Sequence, residues 1–210
     1  MTGNSLPERR DPASFRDPSG FVYRDRSGCL LRQINPSYEP HYRLFLSSGL
    51  YDELVCDGLL IPHGEASLDR RYDEEAVAVL APKEIPVISY PYEWCFSQYR
   101  AAADLTLEVQ RRAMKRGMTL KDASAYNIQF EGIRPRFIDT LSFEKWEAGS
   151  PWRAYYQFCK HFLAPLALMG YLDPTLNDLM RSNLDGIPLA IATRLLPWRA
   201  RFRPGLAIHL

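Results

Sequence analysis

Three oxygen-bearing side chains in the middle of the chain have types and spacings that suit metal-assisted chemistry. Asp122 is followed five residues later by Asn127, and Asp139 comes twelve residues after that. A carboxylate and an amide oxygen can share a Mg²⁺ ion with phosphate oxygens, so Asn127 and Asp139 are candidate metal ligands. The carboxylate of Asp122 can orient or deprotonate an attacking hydroxyl. Asp and Asn are also ordinary turn residues, so the alternative is a set of loop caps.

The elements around these residues predict how they are positioned. Short apolar runs at 128–130 and 136–138 flank a turn at 131–135, which predicts a hairpin. Asn127 lies at the start of the first strand and Asp139 at the end of the second. Both side chains should therefore lie at the same end of the hairpin.

The rest of the chain divides into a strand-rich first part and a helix-rich second part. Period-2 apolar patterns and turn residues predict strands, and apolar residues at helical spacing predict helices. The predicted strands are 20–24, 29–34, 59–62, 76–80 and 87–90, and the predicted helices are 39–57, 94–116, 152–172, 174–183 and 187–195. The fold class is therefore α+β, with one helix among the strands and a mainly helical second part.

This pattern resembles the protein-kinase-like fold, to which aminoglycoside and other small-molecule phosphotransferases belong. The resemblance rests on the motif D-x-x-x-x-N at 122–127, a short hairpin ending in Asp, and the order of the elements. It implies a two-lobed α+β fold that binds ATP with Mg²⁺ between the lobes. It implies further that Asp122 is the catalytic base and that Asn127 and Asp139 hold the metal.

The same resemblance sets the domain boundaries and the nucleotide contacts. It implies an N-lobe at 15–92 and a helical C-lobe at 93–210 that is a candidate for truncation, while the polar composition of the first residues predicts a flexible arm at 1–14. Arg32 stands where such kinases have Lys on a strand, and its acidic partner would be Glu39, Asp52 or Glu53. The segment Pro91–Glu93 resembles a hinge, so Tyr92 and Glu93 are candidate cofactor-binding residues.

Two departures favour an alternative function. The first hairpin offers only isolated glycines in place of a G-x-G-x-x-G lid over the phosphates, and the strand Lys is absent. A kinase-like shell without these features can serve as a non-catalytic regulatory or interaction domain. The phosphotransferase and the non-catalytic domain therefore both stay open.

A second resemblance covers most of the chain. The strings INPSYEPHYRLFLSSGLYDELV, ISYPYEWCFSQ, LKDASAYNIQFEGIRPRFIDTLSFE and PWRAYYQFCKHFLAPLALM are similar to the N-terminal region of longer bacterial proteins labelled SAM-dependent methyltransferase or nodulation-related protein. It implies a methyltransferase partner in cis or in trans, or a truncated part of such a protein. A Gly-rich loop for S-adenosylmethionine is absent from the sequence itself.

Composition limits the remaining classes of function. The 26 Lys and Arg residues nearly cancel the 25 Asp and Glu residues, so the net charge of +1 provides no general attraction for nucleic acid or anionic membranes. The polar N-terminus lacks the apolar region of a signal peptide, and the four Cys residues lack zinc-site spacing. We expect a cytoplasmic protein with a nucleotide as partner and with no membrane or nucleic-acid partner.

Overall fold

The fold is described from a computed structural model, which describes residues 9–11 and 17–209. Strands and helices are numbered in chain order. The strands are β1 (Arg9–Arg10), β2 (Gly20–Arg24), β3 (Leu30–Ile34), β4 (His63–Ala66), β5 (Ala78–Pro82), β6 (Met118–Leu120), β7 (Ile128–Glu131), β8 (Arg134–Phe137) and β9 (Phe143–Lys145). The helices are α1 (Glu39–Ser47), α2 (Leu50–Cys56), α3 (Phe96–Lys115), α4 (Tyr155–Phe158), α5 (Ala164–Tyr171), α6 (Leu179–Ser182), α7 (Leu189–Leu195), α8 (Trp198–Arg201) and α9 (Pro204–Ala207).

The chain forms two compact units. The first comprises Met1–Cys56 and Leu60–Glu84, and the second comprises Asp57–Leu59 and Ile85–Leu210. The first, called the sheet unit, has an antiparallel sheet with α1 and α2, and the second, the helical unit, has α3 to α9 and two strand pairs. The expected α+β class is confirmed, with an element order of hairpin, helices, strands, long helix, loop with hairpin, and further helices.

The sheet of the sheet unit has the strand order β1-β2-β3-β5-β4, and every neighbouring pair is antiparallel. The β2–β3 hairpin has the predicted position, with Arg24 opposite Leu30 at the turn. One face buries an apolar cluster that anchors the sheet: Phe21, Tyr23, Leu31 and Val79. Ile34 and Leu80, which alternate with these residues along their strands, are buried on the opposite face, so both faces of the sheet are covered in part.

The N-terminal arm expected at 1–14 falls mostly outside the described residues. Arg9 and Arg10 form β1, whose backbone pairs with Arg24 and Tyr23 of β2. Asp11 continues this contact, because its N–H donates to the carbonyl of Val22 at 2.9 Å.

The prediction of one continuous helix over 39–57 is wrong, because the segment forms two helices, α1 and α2. Gly49 separates them with φ of 75°, a left-handed conformation that L side chains rarely adopt. Helical spacing persists on both sides, so Tyr42, Phe45, Leu50 and Leu54 are all buried. The apolar pattern found the buried face but did not find the break.

Two of the predicted strands are also wrong. Residues 87–90 form no strand, because Val87 and Ile88 are 71% and 54% exposed and the backbone of Ser89 pairs with the Gln129 side chain instead. Residues 59–62 contribute only an isolated bridge at Leu60, and the strand β4 follows it at His63–Ala66. The sequence His-Gly-Glu-Ala has no apolar alternation, so tertiary pairing with β5 determines its conformation.

The long helix predicted over 94–116 is confirmed as α3. It buries one face, including Tyr99, Ala102 and Val109, and Gly117 follows it with φ of 73°, the left-handed C′ position. Gln98 caps its first turn by accepting a hydrogen bond from the Cys95 N–H at 3.0 Å.

The helix predicted over 152–172 is interrupted near Pro165, as its proline suggested. It consists of α4, a π-helical turn at Cys159–Leu163, and α5, with Pro165 in the first turn of α5. Within the described ranges, no helix has both the length and the apolar character that crossing a bilayer requires.

Candidate functional site

The loop that carries Asp122 is fixed by a short strand pair that the sequence did not reveal. β6 pairs antiparallel with β9, with Leu120 opposite Phe143. The backbone contact continues one residue further, where the Lys121 N–H donates to the Ser142 carbonyl at 2.8 Å. The residues after β6 and before β9 are therefore neighbours, which brings Asp122 near the segment that begins at Asp139.

The second hairpin brings Asn127 and Asp139 together as predicted from its two strands. Ile128 of β7 stands opposite Phe137 of β8, and the Ile138 N–H donates to the Asn127 carbonyl at 2.8 Å. Asp139 then caps a 3-10 turn at Thr140–Ser142, since its carboxylate accepts from the Leu141 N–H at 3.3 Å.

The hydroxyl of Ser142 joins the two candidate metal ligands. Its Oγ accepts a hydrogen bond from Asn127 Nδ2 at 3.1 Å and donates one to Asp139 Oδ2. Ser142 is fully buried, so this bridge is protected from solvent. The amide nitrogen of Asn127 is occupied by donation, and its oxygen retains its capacity to accept or to coordinate.

Asp122 belongs to the same hydrogen-bonded cluster. Its Oδ1 accepts from the Ser124 N–H at 2.8 Å, and its carboxylate is also hydrogen-bonded by the side chains of Asn127 and Gln157. Burial raises the pKa of Asp122 above its usual value, and the charge of Asp139 raises it further, while these hydrogen bonds act in the opposite direction. We name Asp122, Asn127, Asp139, Ser142 and Gln157 the carboxylate cluster.

This arrangement has the chemistry of a base beside a cation site. A carboxyl group whose pKa is raised toward neutrality can exchange a proton with a substrate more effectively than an ordinary carboxylate. Asn127 and Asp139 offer amide and carboxylate oxygens, the ligand types that Mg²⁺ prefers, so the residues present fit that ion. No group of three or more His, Cys, Asp or Glu side chains in the described residues is placed to hold a metal, so amide or phosphate oxygens would have to complete the shell.

Tyr92 and Glu93 lie in a 3-10 turn at Pro91–Glu93, in the same unit as the carboxylate cluster. The Tyr92 ring stacks on Tyr90 at 5.4 Å and lies 4.8 Å from the Arg181 guanidinium. The Glu93 carboxylate accepts from the Tyr90 N–H at 2.7 Å, so it caps its own turn. Burial raises the pKa of Tyr126, the neighbour of Asn127, and the nearby Tyr92 raises it further.

Asn177 fixes the main chain of this turn. Its Nδ2 donates to the carbonyls of Tyr92 and Trp94 at 3.0 and 2.9 Å. The indole of Trp94 is buried and donates to Ser89 Oγ at 2.9 Å. Trp94 is therefore a core residue, whereas Tyr90 is exposed and stacks on the half-buried Tyr92.

Arg32 lies in β3 of the sheet unit, opposite Leu80 of β5, which in turn stands opposite Glu65 of β4. Its charge contributes, after burial, to lowering the pKa of His63 to about 4. Of the three acidic residues expected as partners on the following helix, Glu39 is paired with Arg43 at 2.5 Å. Glu65, from a strand that the sequence did not predict, shares the sheet row of Arg32.

The turn of the β2–β3 hairpin is closed by a buried carboxylate. Asp25 Oδ1 accepts from the N–H groups of Ser27 and Cys29, both at 3.0 Å, and from the Ser27 hydroxyl at 2.7 Å. Its other oxygen accepts from Arg70 Nη2 at 2.6 Å. Hydrogen bonding by Ser27 above all lowers the pKa of Asp25 to about 2. The backbone donors of this turn are therefore used by the protein itself.

Sequence reasoning missed two members of the carboxylate cluster. Ser142 follows Asp139 at three residues, a spacing typical of a capped turn, which could have indicated its contact with that carboxylate. Gln157 comes from α4, eighteen residues beyond Asp139, and no local pattern connects it with Asp122.

Fold and site thus define an α+β protein whose helical unit carries an Asp–Asn–Asp cluster on a loop and hairpin. Nodulation protein NoeA of Rhizobium meliloti (strain 1021) is 37% identical over 205 residues, which cover 96% of this chain and 42% of that relative. The chain therefore spans less than half the length of that curated relative. The solved structure of vaccinia related kinase 3 aligns with 84% of this chain and 70% of its own at 10% identity and a TM-score of 0.45. No protein-family model matches the chain.

Proposed function

We propose that the chain is a kinase-like module that binds ATP with Mg²⁺ and transfers a phosphoryl group. Asp122 is the base that accepts the proton of the attacking hydroxyl, and Asn127 and Asp139 hold the metal. Tyr92 and Glu93, in the same unit, contact the nucleotide base. The observation that carries the proposal is the hydrogen-bonded connection of Asp122, Asn127 and Asp139.

The electrostatics of the cluster support different roles for its two carboxylates. Asp122 has a raised pKa because of burial and of Asp139, which suits a proton acceptor. Asp139 accepts from the Ser142 hydroxyl and from the Leu141 N–H, and these two contacts fix the orientation of its carboxylate beside Asn127. A bound Mg²⁺ would neutralise charge on the phosphate oxygens, which is the contribution that a divalent cation makes in such sites.

The first experiment is a thermal-shift titration of the whole chain with ATP, with and without Mg²⁺, and with S-adenosylmethionine as the comparison ligand. At 100 times the dissociation constant, a ligand stabilises the folded state by about 2.7 kcal/mol, which raises Tm by several degrees. We expect a Mg²⁺-dependent shift with ATP. The shift should be lost in Asp139→Asn, which removes the carboxylate charge of a proposed ligand.

Asp104→Asn is the matched control. Asp104 lies on α3 in the same unit, and its side chain is 68% exposed in an ion pair with Arg100, so the substitution changes charge equally without touching the cluster. We expect the ATP shift to persist in this variant. Equal shifts in wild type and Asp139→Asn, or a shift with S-adenosylmethionine alone, would contradict the proposal.

A second candidate is a non-catalytic domain that serves a methyltransferase in cis or in trans. The specific observation in its favour is the β2–β3 turn, where the Asp25 carboxylate uses the N–H groups of Ser27 and Cys29 that a phosphate-binding loop would offer. Similarity to a nodulation protein of which the chain spans 42% supports a module that acts within a larger protein or assembly. This candidate predicts no ATP shift and a stable complex with a methyltransferase in the native host.

A further inference from the structure

The segment 186–210 differs in charge from the chain as a whole. Over all residues, the Lys and Arg side chains nearly balance the Asp and Glu side chains. Within 186–210 there is neither Asp nor Glu, and the segment contains Arg194, Arg199, Arg201 and Arg203. The overall balance, which predicts no general attraction to anionic surfaces, therefore does not hold for this segment.

Two of these arginines are exposed without an acidic partner. Elsewhere in the helical unit, the exposed Arg100 forms an ion pair with Asp104. Neither Arg199 nor Arg203 forms an ion pair with another residue of 9–11 or 17–209. The Arg199 guanidinium lies 5.5 Å from the centre of the Trp198 ring instead. Their positive charge is therefore available to an anionic partner.

The same segment exposes large apolar side chains. Trp198 and Phe202 are 66% and 75% exposed, and their rings meet edge to face at a centroid distance of 6.0 Å. Ile208 is 76% exposed and Leu195 is 46% exposed. Apolar side chains grouped beside cations are typical of an interaction surface. We name the following residues the arginine–aromatic patch: Leu195, Trp198, Arg199, Phe202, Arg203 and Ile208.

Buried residues of the same segment attach the patch to the helical unit. Leu196, Ala200 and Leu206 are 3%, 1% and 8% exposed. The His209 ring lies 5.7 Å from that of Tyr155 in α4, and the Tyr155 hydroxyl is hydrogen-bonded to His209 Nδ1. The exposed side chains are therefore carried by a packed part of the fold.

We propose that the arginine–aromatic patch binds the surface of a membrane that contains anionic lipids. The arginines contact the negatively charged headgroups, while the Trp198 and Phe202 rings enter the boundary between headgroups and acyl chains. Trp is enriched at that boundary because its ring is apolar and its N–H is polar. The contact is peripheral, so it requires no membrane-spanning helix.

The composition of the patch favours a lipid surface over a nucleic acid or an acidic protein. Nucleic-acid bases stack on aromatic rings and guanidinium groups, but stacking gives no role to the exposed aliphatic side chains of Leu195 and Ile208. A protein partner would need a matched pocket for each exposed apolar side chain, whereas acyl chains adapt to any arrangement. The inference does not rest on the proposed phosphoryl transfer.

The test is co-sedimentation of the whole chain with vesicles of equal parts phosphatidylglycerol and phosphatidylcholine, compared with vesicles of phosphatidylcholine alone. We expect binding to the anionic vesicles that weakens as salt is added, because salt screens exposed charges. Arg199→Gln combined with Arg203→Gln should weaken this binding roughly 30-fold. Trp198→Ser combined with Phe202→Ser should weaken it roughly tenfold or more, because the inserted apolar area is lost.

The matched controls make the same kinds of change elsewhere on the helical unit. Arg100→Gln combined with Arg153→Gln removes two exposed arginines, and Tyr156→Ser removes a ring that is 62% exposed. Both controls should bind the anionic vesicles as the wild type does.

Three results would overturn the inference. The first is equal weakening in the controls and in the patch variants, which would show that binding depends only on net charge. The second is the absence of binding to the anionic vesicles. The third is binding to a single-stranded oligonucleotide without binding to vesicles, which would assign the patch to nucleic acid.

Discussion

Each unit of the molecule places a carboxylate among polar partners, and these surroundings shift the two pKa values in opposite directions. Asp25 in the sheet unit is surrounded by donors and by Arg70, and its pKa is lowered to about 2. Asp122 in the helical unit is half-buried near Asp139, and its pKa is raised. Asp25 therefore stabilises its turn in the charged form. The charged form of Asp122 is disfavoured, which is typical of residues in functional sites.

The largest expected effect of this difference is the loss of stability on removing Asp25. Asp25→Ala leaves the Ser27 and Cys29 N–H groups and the Arg70 guanidinium without their common acceptor, so we expect a cost of about 3 kcal/mol in the free energy of unfolding. Urea unfolding at pH 7 measures it. Asp25→Asn, which keeps one acceptor oxygen, should lose less; equal stability of wild type and Asp25→Ala would show that Asp25 does not stabilise the turn.

The second effect is acid destabilisation by one histidine in each unit, the half-buried His63 and the buried His161. Burial, aided by Arg32 and Lys160 respectively, lowers the pKa values of His63 and His161 to about 4. The unfolded chain binds protons more strongly below about pH 6.5, so stability should fall between pH 6.5 and 4, by roughly 2 kcal/mol for each histidine. Urea unfolding at pH 7 and pH 4.5 should show a smaller loss in His161→Gln than in wild type. An equal loss would contradict the assignment.

The third effect concerns the bridge within the carboxylate cluster. Ser142→Ala removes the hydroxyl between Asn127 and Asp139, and because the position is fully buried we expect a cost of about 1 to 2 kcal/mol. Ser150→Ala is the control, since the Ser150 hydroxyl is exposed and bonds only the nearby Glu147 carbonyl. Comparable unfolding midpoints for the two variants would show that the bridge adds no stability.

The smallest expected effect has the opposite sign and concerns Asp122. Asp122→Asn removes a carboxylate whose charged form is disfavoured in the folded state, so at pH 7 stability should be unchanged or higher by about 0.5 kcal/mol. A carboxyl group whose pKa is raised in the folded state contributes stability at low pH, where it is protonated. That contribution is lost as the pH rises through the folded-state pKa. For Asp25 the stability is present above about pH 3.8 and lost toward pH 2. Destabilisation of Asp122→Asn similar to that of Asp25→Asn would contradict the contrast.

The sequence predicted those parts of the site that depend on local patterns. Apolar residues in β7 and β8 flank a turn at Gly132, whose φ is 62°. This local pattern predicts the β7–β8 hairpin. The long helix α3 was found because it combines helical spacing with a glycine at its end.

The sequence did not predict the parts that depend on tertiary contacts. β6 and β9 have three residues each, too few for a pattern, and they form because they pair with each other. The bridge through Ser142 and the contact from Gln157 arise where segments distant along the chain meet. The helical pattern over 39–57 includes Gly49, whose left-handed conformation divides α1 from α2.

The most direct test of the proposed metal site is an NMR measurement on ¹⁵N-labelled protein, in which Mn²⁺ replaces Mg²⁺ in the presence of ATP. A paramagnetic ion held by Asn127 and Asp139 broadens nearby resonances, so we predict that the side-chain amide of Asn127 disappears first, only when nucleotide is present. Asp139→Asn should abolish this effect. Broadening that begins instead at the surface pocket lined by Asp69, Asp73 and Glu74 would contradict the proposed metal site at Asn127 and Asp139.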